Sequence, residues 1–326
     1  MPVAIRPHVF SLYPLDEETI ALAERSFRIT CPGDEGHELW YTKADGIMVR
    51  SQRVTPEDVA KIGPQLKFLG KHGVGVDAID VKGLSAKGVV VTNTPGVNAT
   101  AVAELALTLA LAVARNVPFI DREIRAGKTI TKQAGGEGGM QLTGRTLGLI
   151  GGGNIGFTLG KMFHGAFGAK IIVYDPHLSP AMESAWTAAI PSYRRVTSLD
   201  DLLPASDVVS VHVPLFDSTR DMIGARELRL MKRSAVLINT ARGGIVNEEA
   251  LAQALDEGVI LGAGLDAFST EPPTLAQFSS LINHPRVVST PHIGAASLDV
   301  ISQTAKSVVE HLRDAFAGNI RDEVKL

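Results

Sequence analysis

Three residues in the C-terminal half have side chains suited to carbonyl chemistry: Arg242 in INTARGGIVNEEAL, Glu271 in LDAFSTEPP and His292 in STPHIGAAS. Each follows a short apolar run, at 235–239, 262–265 and 287–290, that reads as a strand. Strand ends of an open α/β sheet are where ligands collect, so a cation, a carboxylate and an imidazole are expected at one edge. When hydride reaches a ketone carbon, negative charge grows on oxygen and a proton must arrive, which a histidinium supplies near neutral pH. A carboxylate on the other ring nitrogen orients the imidazole and favours its charged form. The planar fork of an arginine matches an acid group and polarises the neighbouring carbonyl, so a 2-oxo acid is the natural substrate. Taken singly, each residue also fits a bland role: a surface arginine, a turn glutamate before Pro-Pro, a structural histidine. His284 precedes its strand and falls at the wrong edge, whereas His212 closes a strand read at 208–213 and stays open as an alternative.

Such a site needs a redox partner, and Thr146–Asp175 supplies a place for one. Gly151, Gly153 and Gly156 follow an apolar strand, Leu147–Ile150, and open a helix carrying Ile155, Leu159, Met162 and Phe163. A second strand, Lys170–Tyr174, ends on Asp175, 19 residues past the last glycine. In a dinucleotide-binding βαβ unit the glycines serve the tight turn, the approach of the pyrophosphate and close helix packing, and the helix N-terminus holds the anion. The acidic residue after the second strand accepts from an adenosine ribose and repels a 2′-phosphate. Asp175 therefore favours NAD over NADP.

The elements that must position these groups alternate strand and helix along the whole chain. Before the glycine motif, runs at 46–49, 66–69 and 89–92 flank helical patterns; after it the rhythm returns, which predicts parallel sheets in an α/β fold. A chain of 326 residues suits two domains. Pro95–Asn98 and Thr290–Gly294 read as crossovers, which places one domain at 1–98 plus 297–326 and the other at 99–296. The final helix, 297–317, is expected to return to the first domain. The Gly-Gly-Glu-Gly-Gly stretch at 135–139 reads as a mobile loop, and the apolar helix near 100–114 as either a core helix or a subunit contact. A net charge of −3 gives no basic face for nucleic acid. The single cysteine, Cys31, excludes an intramolecular disulfide and fits a reducing, cytoplasmic compartment. The N-terminus lacks a signal pattern, the longest apolar run, 101–114, is too short to span a bilayer, and the Val-Lys-Leu end departs from the peroxisomal address. No metal site is read.

Several segments together resemble the D-isomer-specific 2-hydroxyacid dehydrogenases: KHGVGVDAIDV at 71–81, NTPGVNATAVAE at 93–104, GLIGGGNIG at 148–156, YDPHLSP at 174–180, NTARGGIVNEEAL at 239–251, GLDAFSTEPP at 264–273 and PHIGAAS at 291–297. The resemblance implies a flavodoxin-like substrate domain and a Rossmann NAD-binding domain with a cleft between them. It makes Arg242, Glu271 and His292 the catalytic triad and demotes His212. It further implies that the backbone amides of Val74 and Gly75 grip the substrate carboxylate. NAD contacts then come from Asn154 and Ile155 at the pyrophosphate, Asp175 at the ribose, the Val213–Pro214 turn and Asp266 at the carboxamide, with Thr240 and Gly294 also on the cofactor side. Such proteins are usually homodimers joined through their cofactor domains.

Among family members the resemblance runs furthest toward those acting on 3-phosphoglycerate, through Val49-Arg50-Ser51, YDPHLSP and ARGGIVNEEAL. Lys71-His72 stands where those commonly have Arg-Ala, and Gly-Lys-Thr at 127–129 where they have Gly-Lys-Trp. Arg50, Lys71 and His72, with Ser51, are candidates for a phosphate pocket, since phosphate requires several donors with positive charge. Hydroxypyruvate and glyoxylate are the alternative substrates. An NAD(H)-sensing corepressor-like binding protein is a second class with the same architecture.

Overall fold

The computed structural model describes residues 6–325, so the first five residues of the N-terminal stretch and Leu326 of the Val-Lys-Leu end fall outside the described residues. The chain divides into two compact units, one comprising the chain up to Asn98 with the segment from Ser297 onward, the other Ala99–Ala296.

The first unit holds a five-stranded parallel sheet built from β1 (His8–Ser11), β2 (Arg28–Thr30), β3 (Gly46–Val49), β4 (Phe68–Lys71) and β5 (Val90–Thr92). Its order, β2-β1-β3-β4-β5, is that of the flavodoxin-like sheet. The final helix, Leu298–Phe316, belongs to this unit and lays Val308, Val309 and Leu312 against Val9, Tyr13 and Met48. Gly70 makes that approach possible: a Cβ there would stand 2.5 Å from Val308 Cγ1. β4 runs two residues later than the apolar run at 66–69 suggests. Leu66 is buried but ahead of the ladder, while Gly70 and Lys71, which interrupt the apolar pattern, pair with Met48 and Val49.

Seven parallel strands form the sheet of the second unit: β6 (Thr146–Ile150), β7 (Lys170–Tyr174), β8 (Arg194–Val196), β9 (Val208–Val211), β10 (Val236–Asn239), β11 (Gly262–Leu265) and β12 (Val287–Ser289). The order β12-β11-β10-β9-β6-β7-β8 is the doubly wound arrangement, reversing direction between β6 and β9. Strands covered on both faces read as apolar runs, and the four residues of each of β9, β10 and β11 are buried. The helix Ala99–Ala114 turns Ala103, Ala106, Leu109, Ala110 and Val113 into this core. Gly262 and Gly264 let it press close, since a Cβ at either would lie within 2.8 Å of Val113 or Leu109. Internal packing thus accounts for one face of this helix.

Two readings of this unit are corrected. The strand read at 208–213 stops at Val211, because Pro214 has no N–H and the chain turns before it; His212 still donates its N–H to the Ile150 carbonyl at 2.7 Å. The glycine-rich stretch read as a loop at 135–139 begins inside a helix. Lys132–Gly136 forms a short helix capped by Thr131, and the Arg286 guanidinium donates to the carbonyl of Glu137 at 3.2 Å. Among the described residues, no single helix is long and apolar enough to cross a membrane.

Candidate active site

The C-terminal ends of β10, β11 and β12 carry Arg242, Glu271 and His292 on three successive loops. His292 Nδ1 lies 2.9 Å from both carboxylate oxygens of Glu271, and Glu271 Oε1 also accepts the Phe268 N–H at 3.2 Å. Burial alone raises the carboxyl pKa of Glu271. The hydrogen bond and charge of His292, the Phe268 N–H and the charge of Arg242 outweigh it, so the group titrates below its usual range. The Arg242 loop is shaped by Asn239, whose Nδ2 donates to the Arg242 carbonyl at 2.9 Å while its Oδ1 accepts the Ala241 N–H at 3.1 Å.

Gly243 joins this loop to the next. A Cβ there would fall 1.9 Å from the Phe268 carbonyl carbon and 2.1 Å from the Ser269 nitrogen, so the Arg242 and Glu271 loops pass backbone to backbone. Sequence reading missed this residue, although its glycine beside Arg242 was the available signal.

His212 and His284 are excluded as proton donors. The Nε2 of His212 pairs with Ser210 Oγ at 2.9 Å, Nδ1 is buried, and burial pushes the ring down to about 3, so it stays neutral. His284 precedes β12, accepting the Arg286 N–H on Nδ1.

The residues at the sheet reversal fit a dinucleotide. Gly151 takes φ +102°, and a Cβ on it would meet the His212 carbonyl at 2.8 Å, so only glycine permits the turn from β6 into the following helix, against the end of β9. The helix Asn154–Phe167 opens with Gly153 at its N-cap and no side chain capping its first N–H groups. Around Gly153, a Cβ would meet nothing within 4 Å, which leaves this backbone accessible to an anion. Thr240 Oγ1 and His212 Nδ1, beyond β10 and β9, are buried polar atoms without protein partners, the expected state of groups that answer to a ligand. Asp175 follows β7; its carboxylate accepts the Gly152 N–H at 2.9 Å and the His177 N–H at 2.8 Å, bracing the glycine turn. Asn154 and Pro214 are exposed, and Ile155 and Val213 are half-buried. Asp266 and Gly294, by contrast, hold each other, the Gly294 N–H donating to Asp266 Oδ2 at 2.9 Å.

In the first unit, Arg50 directly follows β3 and Lys71 closes β4. The Gly73–Gly75 turn that follows is held by Asn93 and Thr94: Asn93 Nδ2 donates to the Val74 carbonyl at 2.9 Å and Thr94 Oγ1 accepts the Gly73 N–H at 2.8 Å. Lys71 is 9% exposed, and its ammonium donates to the His72 carbonyl at 2.5 Å. Ser51 and Val74 are exposed, and Arg50 and Gly75 half-buried. His72 does not serve as a third cation. Burial first, then the charges of Arg50 and Lys71, push it down to about 3, and its Nδ1 faces the Tyr13 hydroxyl at 3.1 Å.

Residues 107–294 match the model of the D-isomer specific 2-hydroxyacid dehydrogenase NAD binding domain. A hydroxypyruvate reductase of Thermotoga maritima is 38% identical over 92% of this chain and 95% of its own length. A D-3-phosphoglycerate dehydrogenase of Methanocaldococcus jannaschii is 35% identical over 95% of this chain, which spans 58% of that relative's length. Among solved structures, the TT0316 protein of Thermus thermophilus superimposes with a TM-score of 0.83 at 33% identity, covering 98% of this chain and 100% of that one.

Proposed function

Because the chain belongs to the D-isomer-specific 2-hydroxyacid dehydrogenase family, whose model names an NAD-binding domain, we propose that Arg242, Glu271 and His292 carry its interconversion of a 2-oxo acid and a D-2-hydroxy acid. The observation that supports this most is the Glu271–His292 pair, with Arg242 on the neighbouring loop. When bound, NAD supplies or accepts the hydride. His292 delivers the proton to the carbonyl oxygen from Nε2 while Glu271 holds Nδ1, so the ring presents one nitrogen outward. Arg242 pairs with the substrate acid and polarises its carbonyl. Gly151, Gly153, Asn154, Ile155 and Gly156 receive the pyrophosphate at the helix N-terminus, Asp175 the adenosine ribose, and Val213, Pro214 and Thr240 the nicotinamide half.

For the substrate, the reading best supported is a 2-oxo acid bearing a second anionic group, as in 3-phosphohydroxypyruvate. Arg50 and Lys71 bring two cations to adjacent strand ends, beside a turn whose Val74 and Gly75 amides suit a carboxylate. Hydroxypyruvate is the second reading, favoured by the near full-length match to a hydroxypyruvate reductase. A homodimer is the expected assembly, with Val117 and Ile124, both more than half exposed on the helix Val117–Arg125, as contacts.

The test is NADH oxidation with 3-phosphohydroxypyruvate, hydroxypyruvate and glyoxylate, by the wild type and Lys71→Ala. A preference for the phosphorylated acid that Lys71→Ala abolishes supports the first reading. Equal losses on phosphorylated and unphosphorylated acids reject it. Tight NADH binding without turnover of any acid would instead favour a binding protein.

A further inference from the structure

Asp266 directly follows β11 with 1% of its surface exposed, and its carboxylate is directed at the segment that carries His292. Oδ1 accepts the Thr290 hydroxyl at 2.6 Å and the Ile293 N–H at 2.8 Å, and Oδ2 accepts the Gly294 N–H at 2.9 Å. These donors bracket His292 on both sides in sequence. His292 itself takes φ +58°, a left-handed conformation that a side-chain-bearing residue keeps only where its surroundings over-determine it. Three hydrogen bonds to one buried carboxylate are such surroundings.

We propose that Asp266 is the positioning residue of His292: its carboxylate clamps Thr290, Ile293 and Gly294 so that the left-handed residue between them points its ring at Glu271. The proposal rests on the reading of His292 as proton donor and gives Asp266 a duty other than the cofactor contact implied by resemblance. It also explains why a carboxylate is needed. In Asp266→Asn the amide nitrogen replaces one acceptor oxygen. Turned one way it confronts the Gly294 N–H, turned the other way the Ile293 N–H, so one backbone donor always faces another donor. Thr290 can reverse its hydroxyl; the backbone cannot.

The experiment compares wild type, Asp266→Asn and the milder Thr290→Val. It uses steady-state kinetics, NADH binding by fluorescence, amide hydrogen exchange at Ile293 and Gly294, and the ¹⁵N signals of the His292 ring in the cofactor-free protein. The expected result for Asp266→Asn is faster exchange at one or both amides, displaced His292 signals and a kcat lower by about 10²-fold, with KM for the acid and Kd for NADH unchanged. Thr290→Val moves each quantity in the same direction by less and keeps the test open if Asp266→Asn does not fold. Weakened NADH binding with wild-type kcat at saturating NADH overturns the proposal in favour of a cofactor contact. Wild-type exchange and ring signals in both variants also overturn it. Displaced ring signals with an unchanged kcat support the clamp while rejecting His292 as the donor, which separates the two readings.

Discussion

Glu271 offers both carboxylate oxygens to a single nitrogen, His292 Nδ1, each at 2.9 Å. Both oxygens on Nδ1 assign that nitrogen a proton and leave Nε2 as the outward face. The sign of the pH effect follows. The Glu271 carboxyl is held below its usual range, so it stays ionised through neutral pH and keeps a negative charge beside the ring. Its contribution to stability is present above the unfolded carboxyl pKa and is lost as pH falls through the lower folded value. Glu271→Gln removes the charge, so the pH profile of reduction should move to lower pH, where the imidazolium survives. A profile of kcat/KM against pH that does not move would show that Glu271 is not the partner that matters.

His292→Ala should remove most of the turnover, by about 10²- to 10⁴-fold, as for loss of a positioned general acid. NADH binding should persist, because the glycine turn lies on other strands. Fluorescence titration with NADH beside a turnover assay checks this. Loss of binding in step with turnover would mean that the substitution disturbs the unit as a whole.

Asp175→Ala should relax discrimination against NADPH, since the carboxylate that opposes a 2′-phosphate is gone. The structure adds a second effect. The Gly152 and His177 N–H groups lose their acceptor, so NADH binding should weaken as well. The ratio of kcat/KM for the two cofactors, with the NADH Kd, separates the effects; a wild type that already prefers NADPH would contradict the role of Asp175.

Gly243→Ala tests the seam between two loops. The added Cβ meets the Phe268–Ser269 peptide far inside contact distance, and backbone cannot yield as a flexible side chain can. Overpacking of this kind costs about 1–3 kcal/mol, so thermal unfolding should shift downward. Activity should fall further than stability, because Arg242 and Glu271 separate. A variant with wild-type melting and turnover would show that the loops are free to part.

Much of this protein is legible in one dimension because its signals are local. Buried parallel strands appear as short apolar runs, and β3 and β7 have the bounds those runs suggest. The glycine fingerprint is local too, since a turn, a helix start and a strand end lie within about thirty residues. Arg242, Glu271 and His292 stand out as candidates in the sequence because each lies on the loop after its own strand, at the edge where ligands collect. Contacts between distant segments were decided only in three dimensions. His72 looked like a cation until burial and two neighbouring charges made it neutral. The stretch at 135–139 looked free until Arg286, far along the chain, took the Glu137 carbonyl. Gly243 looked ordinary until the Phe268 peptide passed against it, and the three donors that Asp266 meets come from the loop after β12, remote in sequence. Residue type and spacing determine which groups are available; the environment that sets charge, strain and hydrogen-bond partners exists only once remote backbone has packed around them.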